Sequence, residues 1–404
     1  MIPNAPTSLD FGLGETADMM RDSVRNFAES MIVPLASETD KNNEFPMQLW
    51  LQMGELGVLG ITVEEEYGGA GMDATAVAIV NEELSYSDPG FCLAYLAHSQ
   101  LTVNNLAFNG SDTQKQRYLP GLCSGELIGC MAMSEPDYGT DVLGMATNAV
   151  LQDDGNWCIN GRKMWITNGV IDEDGTPADI VWLYARTGTT DRGRPEISTF
   201  IIEKGMPGYK SGQKIIDKLG MRASNTAELV FEDCIVPPEN LVGSPGSSMH
   251  HMMRNLEIER VALAAQAVGI SRRCLADMSR YAGEREAFGK PIREFGQMQR
   301  HIGESWAEYR AMRAYVYETS RVLDLDSGGQ RLDSDGVKLF ATTAAKNIAD
   351  RAIQVMGGYG YVGEYVVERL WRDAKLLEIG GGTLESHQKN ITRDLAKNSD
   401  PIEE

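Results

Sequence analysis

Glu259 is the residue of this 404-residue chain whose surroundings point most directly to chemistry. On a helix it shares a stripe with Leu256 and Leu263, at i−3 and i+4, and its other near neighbours, Asn255 and Ala262, offer no cation. An unpaired carboxylate on an apolar stripe is costly unless it works as a base or finds a tertiary partner. Desolvation raises its basicity, which suits the removal of a weakly acidic proton. The structural alternative is a salt bridge to an arginine distant in the chain. Glu257 has Arg254 and Arg260 at i±3 and reads as a paired surface acid.

Two polar segments could surround such a base. Met133-Ser134-Glu135-Pro136-Asp137-Tyr138-Gly139-Thr140-Asp141 and Lys163-Met164-Trp165-Ile166-Thr167-Asn168-Gly169 combine hydroxyls, turn glycines and one large ring. Singly, each reads as loop chemistry, and Trp165 as core. Gly358 to Gly363 fits GxGxxG. A dinucleotide fingerprint follows a strand and opens a helix, whereas Ala344 to Ile353 is strongly helical. A glycine-rich helix end that lets a ligand approach the backbone is the better reading. The six cysteines show no CxxC spacing and the five histidines no HExxH, so reduced thiols and no metal site are expected.

The elements that must position these residues fall into three zones. From Glu15 to about Leu127 apolar residues recur at helical spacing (Met20, Val24, Phe27, Met31), with Pro34 perturbing the run. From about Ile128 to Leu241 short β-rich runs alternate with Asp154-Gly155, Asn160-Gly161 and Asn168-Gly169, which predicts a small antiparallel sheet or barrel. After Pro245-Gly246 the helical pattern returns, broken at Gly289-Lys290-Pro291, Ser327-Gly328-Gly329 and Gly357-Gly358. The expected domains are 1–127 (α), 128–243 (β) and 244–404 (α). With 58 acidic against 37 basic residues, the net charge is −21 at pH 7. That excludes a nucleic-acid partner and disfavours docking on anionic membranes. The apolar stretch Val261 to Ile270 is too short to span a bilayer, and Met1 to Pro6 lacks the marks of a signal or transit peptide. A cytoplasmic protein is expected.

Taken together and in order, the motifs resemble those of the acyl-CoA dehydrogenase family. They are Ser134-Glu135-Pro136 with Gly139-Thr140-Asp141, Trp165 to Gly169, and Lys218-Leu219-Gly220-Met221-Arg222. Glu284 to Lys290, Gln354 to Tyr361, and Arg372-Asp373-Ala374-Lys375 follow. The resemblance covers roughly residues 15–395 and is nearest in texture to the isovaleryl-CoA dehydrogenase branch. It implies a mainly α fold: an N-terminal helical domain, a middle β-barrel and a C-terminal four-helix bundle. It also implies FAD, an acyl-CoA substrate, an electron-transfer flavoprotein as electron acceptor, and a homotetramer.

The resemblance assigns roles by position. Met131, Met133, Ser134 and Thr140 would lie along the flavin ring, Trp165 would cover one face, and Thr167 would hydrogen-bond near N5. Arg285, Phe288, Gln354, Gly357 and Gly358 would come from a neighbouring subunit to hold the pyrophosphate and adenine, with Thr383 and Glu385 completing the site. Thr140, Glu257, Arg260, Gly380 and Gly381 would contact substrate. Gly296 stands where the family usually has a flavin-contacting glutamine. In most of the family the base is a glutamate immediately before Gly-Thr in the C-terminal loop, where this chain has Gly381. The isovaleryl and long-chain branches supply it from the position of Glu259. The implied reaction is α-proton abstraction by Glu259 and transfer of the β hydrogen as hydride to flavin N5, giving a trans-2-enoyl-CoA. A short or branched substrate such as isovaleryl-CoA leads. A long-chain dehydrogenase, or an oxidase, monooxygenase or desulfinase on the same fold, is the alternative.

Overall fold

The computed structural model describes Leu9 and residues 11–397. The N-terminal residues Met1 to Pro6 lie outside that range. Seven helices come first: α1 (Glu15–Phe27), α2 (Ala36–Asn42), α3 (Trp50–Glu55), α4 (Ala74–Ser87), α5 (Pro89–Leu96), α6 (Asn104–Asn109) and α7 (Asp112–Ser124). Pro34 does separate α1, with its short π-helical extension to Ile32, from α2. The glycine loop before α4 ends at Asp73, whose carboxylate caps the helix by accepting from Ala76 N–H at 3.0 Å.

Eight strands follow: β1 (Gly129–Ala132), β2 (Asn148–Leu151), β3 (Trp157–Thr167), β4 (Ile180–Thr189), β5 (Pro195–Glu203), β6 (Tyr209–Lys214), β7 (Thr226–Val236) and β8 (Leu241–Val242). They form one sheet in the order β6-β7-β3-β2-β4-β5-β8, with β1 added beside β4. The pairings are not all antiparallel, because β1 and β2 each run parallel to β4. Asn160-Gly161 is no turn; it lies inside β3, where Gly161 sits against Thr147 so closely that a Cβ would overlap that residue's Oγ1. Inward side chains such as Ile159, Leu183, Phe200 and Phe231 form the core of this domain.

The C-terminal zone is α8 (Ser248–Glu284), the β9–β10 hairpin (Glu286–Ala287 and Lys290–Pro291), α9 (Gly296–Val322), α10 (Arg331–Met356), α11 (Gly358–Tyr361), α12 (Val367–Leu377) and α13 (Leu384–Leu395). The stretch Val261 to Ile270 is the fully buried middle of α8. It packs on α4 and α10, so that one core cluster runs through both helical zones. At the α4–α8 crossing a Cβ on Gly269 would lie 2.8 Å from Tyr86 N, so only glycine allows this approach. Glu82 and Glu83 of α4 are buried there among Arg21, Arg272 and Arg313, with Arg272 Nη2 2.6 Å from Glu83. Removing one member of such a buried ionic cluster is far more damaging than the cluster's net contribution, because the survivor keeps an unpaired charge.

Candidate active site

Glu259 faces the core from α8 and is 6% exposed. Its Oε2 has no hydrogen-bond partner. Burial pushes its carboxyl up to about 7, against the opposing pull of Arg260 and Lys338. It is therefore a carboxylate poised to exchange a proton near neutral pH, with one oxygen free to receive it. The loop after α12 lies directly against it. A Cβ on Gly381 would stand 3.2 Å from Glu259 Oε1 and would overlap Leu263 Cδ1. Gly381 has φ of +66°, a conformation L side chains rarely adopt. The missing side chain at Gly381 and the carboxylate of Glu259 thus occupy one place in space, approached from two segments.

Glu257 departs from its expected surroundings. It is buried, and its carboxylate accepts from Gly329 N–H at 3.2 Å and Gln330 N–H at 2.9 Å at the start of α10. It is not a surface pair: Arg254 donates to Asn109 and to the Asp326 carbonyl, and Arg260 Nη1 lies 3.2 Å from Asp335. Helical phase explains this, since residues two apart point to different sides and Glu257 meets the α9–α10 loop while Glu259 meets the glycine loop. Desolvation raises the Glu257 carboxyl, and the two backbone donors oppose that rise. A cavity of about 490 Å³ opens beside it, with His250, Arg254, Arg331 and Lys397 in its wall.

The second wall comes from the sheet. The β3–β7 register slips between Lys163 and Ile166, which leaves Met164 and Trp165 outside the ladder. Trp165 has φ of +60° and is 55% exposed. A bulky residue held in the left-handed region with its ring displayed is a strained feature of the kind found at ligand sites. Met164 N–H donates to the Ser134 carbonyl at 2.9 Å, which fastens the 133–141 loop beside Trp165. A buried pair fixes the same loop from below. Lys163 Nζ donates to the Met133 carbonyl at 2.9 Å and to Glu135 at 2.8 Å, and Glu135 also accepts from Ala146 and Thr147 N–H. Burial lowers the Lys163 ammonium to about 8 despite Glu135. The sequence reading had these two residues in hand but missed their partnership; a lysine on an inward strand position is the signal that could have shown it. Along this wall Ser134, Met131 and Thr167 are half-buried, Met133 is buried, and Thr140 is exposed.

The third group lies elsewhere. Arg285 follows the end of α8, and Phe288, φ +52°, is 96% exposed on the β9–β10 hairpin. Tyr281 of α8 meets Tyr359 of α11 at 6.2 Å between ring centroids. That contact brings the hairpin to the helix end carrying Gln354, Gly357 and Gly358, all exposed. Gly357, φ +59°, stops α10 and α11 follows, so the glycine run joins two helices and has no strand before it. Arg285 lies 26 positions after Glu259, just past the end of α8, about 39 Å away at helical rise. The structure therefore does not bring the third group to its own chain's Glu259. A Cβ on Gly296 would meet nothing within 4 Å, so that position too is open. Thr383 caps α13 through Ser386 N–H at 3.3 Å, with Glu385 exposed beside it.

Among the described residues no cluster could hold a metal ion, and no helix is long and apolar enough to cross a membrane. The structure does offer a displayed ring on a strained bulge, a loop tied beside it and a desolvated carboxylate with a free oxygen. Those features fit an aromatic redox cofactor working against a proton-losing substrate.

Three family models match: the acyl-CoA dehydrogenase N-terminal domain over residues 14–126, the middle domain over 130–234 and the C-terminal domain over 247–396. The mitochondrial isovaleryl-CoA dehydrogenase of Oryza sativa subsp. japonica is 44% identical over 95% of this chain and 92% of its own length. The solved butyryl-CoA dehydrogenase of Megasphaera elsdenii superposes with a TM-score of 0.90 at 33% identity, covering 96% of this chain and 100% of that one. An acyl-CoA dehydrogenase from Bacillus anthracis, solved with FAD, superposes at 0.88 with 29% identity over 96% of this chain and 67% of that one. With domain matches along nearly its whole length and a relative 44% identical over 95% of it, this chain belongs to the acyl-CoA dehydrogenase family of FAD-dependent oxidoreductases.

Proposed function

We propose that the protein oxidises a short or branched acyl-CoA, with isovaleryl-CoA the leading substrate, to the trans-2-enoyl-CoA. The observation that carries this reading is the place shared by Glu259 and the absent side chain of Gly381. Glu259 Oε2 takes the α proton, since it is buried, unpartnered and titrates near neutrality. The Gly381 N–H polarises the thioester carbonyl, so that negative charge forms against a fixed donor. FAD, when bound, supplies the acceptor for the β hydrogen and its electron pair. Trp165, Ser134 and Thr167 would hold that cofactor, the exposed ring of Trp165 by stacking and excluding water and the two hydroxyls by hydrogen bonding. Met131, Met133 and Thr140 line the same loop.

Arg285, Phe288, Gln354, Gly357 and Gly358 serve the cofactor of a neighbouring copy. The length of α8 between them and Glu259 supports this, as does the exposure of Phe288 in one chain. The assembly proposed is a homotetramer, with an electron-transfer flavoprotein reoxidising the cofactor. Gly380 and Gly381 leave bulk out of the acyl end and so admit a branched β carbon. One methylene discriminates by only about 1–3 kcal/mol, so activity on butyryl-CoA is expected too. The deciding experiment is anaerobic bleaching of the bound flavin by a panel of acyl-CoA thioesters. Isovaleryl-CoA should give the highest rate constant for bleaching relative to its dissociation constant. A peak on long unbranched chains would move the protein to the long-chain branch, and no bleaching by any thioester would overturn dehydrogenation.

A further inference from the structure

The loop against Glu259 is Gly380-Gly381-Gly382, with φ of +66° at Gly381 and +104° at Gly382. Three consecutive glycines carry no side chains to hold one conformation, and glycine has the most conformational freedom to lose. Whatever fixes this loop must act on its backbone. The Gly382 carbonyl faces two buried nitrogens. Lys338 Nζ of α10 donates to it at 2.6 Å, and His387 Nε2 of α13 lies 3.0 Å away. His387 is fully buried, and its Nδ1 is 2.5 Å from Asp335 Oδ1, one turn before Lys338 on α10. The same Asp335 oxygen is 3.2 Å from Nη1 of Arg260, the residue after the base. Both ring nitrogens of His387 face oxygens, Nδ1 that of Asp335 and Nε2 that of Gly382, so the ring is held from both sides. Two helices, α10 and α13, thus converge on one carbonyl in the loop that contacts Glu259, and Asp335 links them to Arg260 of α8.

We propose that Lys338 and His387 are positioning residues that clamp the Gly382 carbonyl and thereby hold the Gly381 N–H in register with the thioester carbonyl and Glu259. Asp335 orients the His387 ring and ties this clamp to Arg260, so base and loop move as one body. The inference rests on the reading that Glu259 and the Gly381 N–H act on the thioester. An error of about 1 Å in a reacting group costs on the order of 10²-fold in rate, which is the scale a loose glycine loop would reach.

The test uses the FAD-loaded protein with His387→Leu, His387→Gln and Lys338→Met. Glutamine can present an amide donor where Nε2 stood. Methionine matches the lysine stem and leaves no unpaired charge of its own. His387→Leu and Lys338→Met should each slow single-turnover flavin reduction by at least about 10-fold with KM changed less than about 3-fold, while His387→Gln recovers most of the rate. The second readout is the infrared stretch of a bound 13C-labelled thioester carbonyl, measured in the Glu259→Gln background, where turnover stops. The downshift that marks polarisation should be lost with His387→Leu and Lys338→Met, and kept with His387→Gln. Rates within about 2-fold of the parent, or an unchanged carbonyl shift in both disruptive variants, would overturn the clamp. If His387→Leu fails to fold, Lys338→Met and His387→Gln decide by the same criteria. Rapid turnover by Glu259→Gln alone would instead refute the assignment of the base, and the carbonyl shift, then read with the flavin reduced beforehand so that the thioester persists, would still judge the clamp.

Discussion

Replacing Glu259 by glutamine separates its chemistry from its burial. The amide keeps the shape but takes no proton at neutral pH. Flavin reduction by acyl-CoA should slow by at least about 10²-fold, the lower end for loss of a general base, while the bound thioester still perturbs the flavin spectrum. Stability should move the other way. The folded carboxyl sits near 7 against an ordinary value of 4.5, because burial disfavours its charged form. A raised folded value means proton binding favours the native state; that stability is full below about pH 4.5 and is lost as pH rises through about 7. The whole difference is about 3.4 kcal/mol at 1.36 kcal/mol per pH unit, and the part lost between about pH 5.5 and pH 8.5 is about 2 kcal/mol. Glutamine carries no such dependence. For a chain of this length unfolding as one unit, that corresponds to a Tm gain of about 2–3 °C for the variant relative to wild type across this interval. Thermal melts of both FAD-loaded proteins at the two pH values measure it. The wild-type kcat/KM should also climb with pH through about 7. Near wild-type flavin reduction by Glu259→Gln would show that the base lies elsewhere, and a Tm difference independent of pH would show that Glu259 does not titrate where its burial places it.

The other predictions concern the walls of the site. Glu257→Gln has only one acceptor oxygen for the Gly329 and Gln330 N–H groups and should lose about 1–3 kcal/mol in urea unfolding, whereas Glu232→Gln, at the exposed pair with Lys210, should leave the midpoint unchanged. Gly381→Glu added to Glu259→Gln puts a carboxylate near the vacated proton, yet φ of +66° and the overlap with Leu263 oppose it; flavin reduction should stay at the level of the single variant, and recovery beyond about 10-fold would show that the loop yields. Lys163→Met strips Glu135 of its buried cation and should cost about 3–5 kcal/mol, visible as a lower Tm and less FAD per chain.

Much of this molecule is written in local pattern. The α-β-α order, the long helix through Val261 to Ile270, and the helical context that separates the Gly358 run from a strand-to-helix fingerprint all follow from periodicity, which depends only on neighbours along the chain. Glu259 stands out in the same way as a carboxylate on an apolar stripe, while its assignment as base comes from the family resemblance. Asn160-Gly161 was misread, because the same dipeptide serves a turn or a close packing contact, and only Thr147 across the sheet decides which.

The sequence by itself determined which residue types are present and which helical face each occupies, and so set Glu259 on an apolar stripe and left Gly381 without a side chain. Tertiary structure alone decided that these two share one place, that Glu257 caps a neighbouring helix start instead of pairing with its own arginines, and that Lys163, Lys338 and His387 reach backbone carbonyls 30, 44 and 5 positions away. The physical reason is that helical phase is fixed by the backbone repeat, whereas the partner of a buried polar group is whatever the packing of distant segments brings within hydrogen-bond reach.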